Sequence, residues 1–147
     1  MTNQAAEIFD HVWTLIEKPD RTPRETELMI HGAHASRFLW EQGGTPLNHA
    51  RAELLVSRAY AVAGRPGPAL HHAALSLEIA DAAELEPFDM ASAHEAIARA
   101  YAVAGQVVRA REHEQIARGF ADEIDEEEER DVVLADLDTL PLDDPAG

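Results

Sequence analysis

Apolar residues recur at helical spacing along almost the whole chain, and the breaks in that rhythm are marked by proline and glycine. Between Ala5 and Glu17, residues Ile8, Phe9, Val12, Trp13 and Ile16 repeat at i, i+3 and i+4, the stripe of an amphipathic helix. The stretch "KPDRTP" ends it. There Thr22 suits a helix cap, Pro23 a first turn, and Glu25 completes a capping box, so a second helix runs to about Gln42. It stops at Gly43-Gly44, where a left-handed residue is expected. Thr45-Pro46 repeats the signal for a third helix, from about Pro46 to Ala63 and closed by Gly64. A fourth opens at Gly67-Pro68 and runs to about Ala83, and a fifth runs from Pro87 to Gly105. A sixth runs from about Val107 into an acidic run, and a short seventh covers about Val132 to Leu140. The short connections make consecutive helices antiparallel neighbours. The prediction is an all-α single domain over about residues 1–140. It contains hairpins at about 3–43, 46–84 and 87–127, a capping helix at about 132–140, and a disordered acidic tail at 141–147.

The heptapeptide "RAYAVAG" occurs twice, at Arg58 to Gly64 and at Arg99 to Gly105, an offset of 41. The same offset pairs Ala69 with Ala110, His72 with His113, Ala80 with Ala121 and Asp81 with Asp122. Alanine-rich composition produces scattered identities, but not a run of seven that ends in a glycine helix stop.

The positions Ser57, Tyr60, Gly64, Ala69 and Leu77, and then Ala98, Tyr101, Gly105, Ala110 and Ala117, resemble the tetratricopeptide repeat pattern over about residues 50–125. The 41-residue period exceeds that family's usual 34 by about two helical turns. The resemblance implies hairpins stacked as a right-handed superhelix, with Tyr60 and Tyr101 in the packing frame. It also implies a concave groove that binds a protein or peptide. That groove would display Arg51, Leu54, Arg58, Ala61 and Val62 from one repeat, and Ser92, Glu95, Arg99, Ala102 and Val103 from the next. Arg51, Arg58 and Arg99 then form a stripe that favours an acidic partner. Leu54, Val62 and Val103 supply apolar contact.

Charge sharpens this picture. The formal net charge is −16, and residues 122–147 contribute −11 of it through twelve acids and one base. Nucleic acid and anionic membrane are therefore poor partners. An acidic end opposite an arginine stripe predicts docking of the two, within one molecule or between copies. A homo-oligomer formed through an exposed terminal hairpin is a second mode of interaction. Lys18 is the only lysine among twelve bases, which points to a GC-rich, bacterial coding bias. The chain has no cysteine, no apolar run near the roughly 20 residues that span a bilayer, and no basic-then-apolar start. A cytoplasmic protein is expected.

Chemistry-bearing motifs are sparse. No glycine-rich phosphate loop or G-x-S-x-G occurs, and an enzyme is not predicted. No cofactor is called for. Among eight histidines, His31 and His34 lie one turn apart and His71 and His72 are adjacent, which leaves a metal-binding or metal-dependent alternative built on these four. There is no H-E-x-x-H, so a metal would need a third ligand from another helix. Trp13, Phe38, Leu39 and Trp40 are expected to seal the first hairpin.

Overall fold

A computed structural model describes residues 3–142. The tail expected at 141–147 lies outside these residues beyond Leu142. Seven helices and no strand are found among the described residues: α1 (Gln4–Glu17), α2 (Pro23–Gly43), α3 (Pro46–Val62), α4 (Pro66–Ala82), α5 (Pro87–Val103), α6 (Val107–Asp122) and α7 (Glu127–Asp138). The proline-led starts appear where the sequence places them. Thr22 with Glu25 and Thr45 with Asn48 both form reciprocal capping boxes, each directly before a proline in the first turn. The seventh helix begins at Glu127 rather than near Val132. Glu127, Glu128 and Glu129 occupy its first turn, where a negative charge stabilises the exposed N–H groups.

Three of the helix stops share one geometry. After α3, α4 and α5 the chain makes a Schellman turn. Gly64 donates to Ala61 and Arg65 to Tyr60; Glu84 to Asp81 and Leu85 to Ala80; Gly105 to Ala102 and Gln106 to Tyr101. The left-handed residue is Gly64 (φ 77°), Glu84 (φ 51°) and Gly105 (φ 79°). Gly43-Gly44 is different: Gly43 is the last residue of α2, and Gly44 has φ −92°. Glycine is required there by space, since a Cβ at Gly44 would lie 2.7 Å from the Trp40 carbonyl oxygen. At the end of α1, Arg21 supplies the stop. Its Nη1 donates to the carbonyls of Leu15, Ile16 and Lys18, and its Nη2 reaches the Val62 carbonyl at the end of α3. One cation thus serves two helix C-termini.

The hairpins α1–α2, α3–α4 and α5–α6 stack so that each odd-numbered helix packs on the next: α1 on α3, α3 on α5 and α5 on α7. The backbones of the even-numbered helices of successive hairpins do not come close to one another; α2 and α4 meet only through side chains such as His34 and His72. Alanine makes the close approaches. Ala69, Ala73 and Ala80 of α4 and Ala110, Ala117 and Ala121 of α6 are fully buried. Helix α5, enclosed by α3, α4, α6 and α7, buries alanines on every side.

Buried serines fasten the hairpins. Ser36 Oγ of α2 donates to the Ala5 carbonyl of α1, and Ser76 Oγ of α4 donates to the Ala50 carbonyl of α3 in the same way. Ser57 Oγ adds a bond to the Ala69 carbonyl. The first hairpin therefore shares a packing bond with the second although its sequence lacks the repeat. Not every aromatic expected inside it is there. Trp13 joins the core of Val12, Ile16, Met29 and Leu55, whereas Phe38 is 67% exposed because its side of α2 is not covered.

The three Schellman turns predict opposite responses to substitution. Nothing lies within 4 Å of a Cβ built at Gly64 or Gly105, so Gly64→Ala or Gly105→Ala incurs only the left-handed backbone penalty, a loss of about 1–2 kcal/mol. Glu84→Gly relieves that strain and removes an anion from a helix C-terminus, for a gain of up to about 1 kcal/mol. Urea denaturation of the three variants gives the comparison. A stabilised Gly64→Ala or a destabilised Glu84→Gly would contradict the assignment.

Candidate binding groove

The odd-numbered helices face a cavity of about 280 Å³. Helix α1 contributes Phe9 and Trp13, and α3 contributes Arg51, Leu54 and Arg58. Across from them lie Phe88, Ser92 and Glu95 of α5, with Val132 and Asp136 of α7 closing the far wall. Four helices from across the chain thus meet at one place, and the lining is mainly apolar. A larger depression of about 710 Å³ sits at the α5–α6 turn beside Tyr101 and Arg109, but one hairpin alone forms it.

The arginine stripe is present, and it is neutralised from within. Arg51 Nε lies 2.9 Å from Asp89 Oδ1, with its guanidinium 5.4 Å from the Phe88 ring centre. Arg58 Nη2 lies 3.2 Å from Asp136 Oδ1 and 3.7 Å from Glu95 Oε1, with its guanidinium over Trp13 at 5.5 Å. Arg99 donates to Glu95 Oε1 from Nε at 2.9 Å and from Nη2 at 2.6 Å. Its Nη2 also reaches the Thr139 hydroxyl at 2.7 Å and the Asp136 carbonyl at 3.1 Å. Three guanidiniums meet Asp89, Glu95 and Asp136, so the stripe carries no spare positive charge to draw an acidic partner.

Several expected groove residues are therefore reassigned. Arg99 is buried beneath the end of α7 and, bonded to Glu95, acts as its clamp. Val62 packs on the first-hairpin core, since the α1–α2 connection folds over the end of α3 through Arg21. Val103 packs against Ala61, Ala69 and Ala100 and does not line the cavity. Arg51, Leu54, Arg58, Ser92 and Glu95 line it. The acidic end does dock on the stripe of its own molecule, through Asp136, while Glu127, Glu128 and Glu129 remain exposed. Sequence reasoning missed Phe9, Phe88 and Val132 as walls. Their signal was only that of ordinary apolar helix positions.

A second polar cluster joins α2, α3 and α4. The buried Glu53 accepts from Arg37 Nε at 2.7 Å and pairs with His72 Nδ1 at 2.7 Å. Tyr60 stacks on His72 at 5.9 Å, and its hydroxyl lies 2.8 Å from His34 Nε2. Burial alone would push the Glu53 carboxyl up, but the bonds from His72 and Arg37 outweigh it and hold it below its ordinary value. The 41-residue offset maps this arrangement onto the third hairpin, where His94 replaces Glu53. His94 Nδ1 and His113 Nδ1 lie 3.1 Å apart, and Tyr101 stacks on His113. Burial pushes both histidines down, with the charge of His113 adding to the effect on His94 and that of Glu112 opposing it on His113. Burial likewise lowers His34, reinforced by His72. Of the four histidines in the metal alternative, His34, His71 and His72 are close neighbours. Even so, no three His, Asp or Glu side chains converge as a metal site among the described residues.

No family model, curated protein or solved structure matches the chain. None of the described helices is long and apolar enough to cross a membrane.

Two predictions follow from the charges. Glu95→Gln leaves Arg58 and Arg99 without their shared carboxylate in a largely buried site, so it should cost about 3 kcal/mol in urea denaturation. Arg65→Ala, at a pair with Glu27 that is half exposed on both sides, should cost under about 1 kcal/mol. Equal losses would contradict the clamp.

For pH, the folded-state pKa values of His34, His94 and His113 are depressed, so the unfolded chain takes up their protons first. Stability is complete above the ordinary histidine value of about 6.5 and falls as pH drops below it towards the folded-state values. His113→Asn should flatten that part of a stability-against-pH curve. An unchanged slope would remove the pair from the account.

Proposed function

We propose that this chain is a recognition module of the tetratricopeptide-like kind, and that its groove takes an apolar segment of a protein partner. The observation that carries the reading is the cavity itself. Its apolar walls come from α1, α3, α5 and α7, so it exists only when the whole array is folded. Such a preformed cleft binds without first having to order itself. At about 280 Å³ it sits at the lower edge of the range for small-molecule sites, about 300–1,000 Å³, and suits one or two bulky side chains. The duplicated heptapeptide, the Schellman stops and the serine bonds common to the first two hairpins support the repeat reading.

In this reading Leu54, Phe9, Trp13, Phe88 and Val132 receive the anchor side chain. Arg51 and Arg58 stay in their ion pairs and shape the walls, with their guanidiniums on Phe88 and Trp13. Affinity comes from desolvating aromatic surface. The partner's electrostatic character is set by what surrounds the cavity.

Selection of a displayed random-peptide library on the wild-type protein and on Leu54→Arg tests the reading. Peptides with leucine or aromatic anchors should be enriched on the wild type and lost on the variant. Enrichment of the same peptides on both would place recognition elsewhere.

A further inference from the structure

The groove does not end at its apolar floor. Beside the Arg51–Asp89 pair lies a second cavity of about 270 Å³, which shares Arg51, Phe88 and Asp89 with the first and is lined further by Glu84, Glu86 and Glu129. Together the two cavities are lined by six carboxylates and two guanidiniums. Both guanidiniums are already paired, Arg51 with Asp89 and Arg58 with Glu95 and Asp136. Glu84, Glu86 and Glu129 are exposed, and none has an ion-pair partner among the described residues. An apolar pocket thus adjoins an uncompensated acidic mouth.

Resting on the groove reading above, we infer that the partner segment is basic: an apolar anchor seated against Leu54 and Trp13, flanked by lysine or arginine that meets Glu84, Glu86 and Glu129. This reverses the sign expected from the arginine stripe. Charge complementarity selects this occupant. A second copy of the chain carries net −16, so like charge opposes self-docking at this mouth. An acidic segment would meet the same repulsion.

Glu84 adds an independent observation. It holds a left-handed backbone conformation that glycine fills in the two equivalent turns, and it places a negative charge at the C-terminus of α4. Both features oppose stability, and residues held at such a disadvantage gather where a surface is used. Its side chain lies at the mouth, beside Glu86.

The flanks of peptides selected from the random library decide the matter, using wild type, Leu54→Arg and the triple variant Glu84→Gln, Glu86→Gln, Glu129→Gln. The triple variant keeps the apolar floor and the ion pairs, and circular dichroism checks its fold. Wild type should enrich anchors flanked by lysine or arginine. Those peptides should bind the triple variant about tenfold more weakly at about 0.1 M salt, a difference that shrinks towards 1 M. Anchored peptides with neutral or acidic flanks, lost on Leu54→Arg, would leave the groove reading standing and overturn this inference. Basic peptides that bind the triple variant as tightly as wild type would also overturn it. Peptides equally enriched on Leu54→Arg, or no enrichment on wild type, would overturn both.

Discussion

Arg58 is the residue on which the inner side of the array depends. It projects from α3 and touches Trp13 of α1, Glu95 of α5 and Asp136 of α7, so one guanidinium meets a residue from each of the other odd-numbered helices. A planar, permanently charged group with several donors can do this, whereas a lysine would offer a single point charge. Its repeat mate Arg99 completes the arrangement by holding Glu95 from the other side and fixing the end of α7 through Thr139 and the Asp136 carbonyl. Because Arg58, Arg99 and Glu95 are largely removed from water, each depends on its partners, and the cluster specifies where α7 must sit. The far wall of the groove is set by the same contacts.

Around that polar centre the packing is small and repetitive. Fully buried alanines on α4 and α6 bring each pair of helices close, and serine hydroxyls donate across the hairpins where a slightly larger residue fits. Backbone proximity is thereby conserved while side-chain volume stays low, so the larger apolar groups gather at the two ends of the array. The core where α1 and α2 meet α3 holds Met29, Leu55 and Val56, and the core where α5 and α6 meet α7 holds Val133, Leu137 and Leu140. Alanine-rich middle and bulkier ends leave Leu54 and Phe88 only partly covered, which is why the groove floor is apolar.

What could be read in the sequence is what local chemistry determines. Threonine-proline starts and the helix stops at Gly64 and Gly105 each depend on a few neighbouring residues, and they appear as expected, whereas the left-handed residue expected at Gly43-Gly44 gives way to a glycine required by space. The rest depends on elements distant in sequence. Glu84 took a glycine's place in a Schellman turn without any sequence cue. The run Glu127 to Glu129 read as a solvated charge stretch because its use as a helix start appears only when Val133 and Leu137 find α5. Arg99 is only four residues from Glu95, but its burial is created by α7, and Asp136 lies far along the chain from Arg58. Val62 and Val103 have the right helical phase for a groove, yet a neighbouring element covers the end of each helix. Helical phase selects a side of a helix; the neighbouring elements decide whether that side remains open.

The central claim is that α7 closes over the groove opposite α1. The chain has no cysteine, so Val132→Cys labelled with bimane, in a Trp40→Phe background, reports contact between α7 and Trp13 alone. Trp13 and Val132 line one small cavity, so strong quenching of the bimane by Trp13 is expected, and it should be relieved when Glu95→Gln loosens the clamp. Bimane fluorescence that is the same with Trp13 and with Trp13→Phe would place α7 away from α1 and contradict the account.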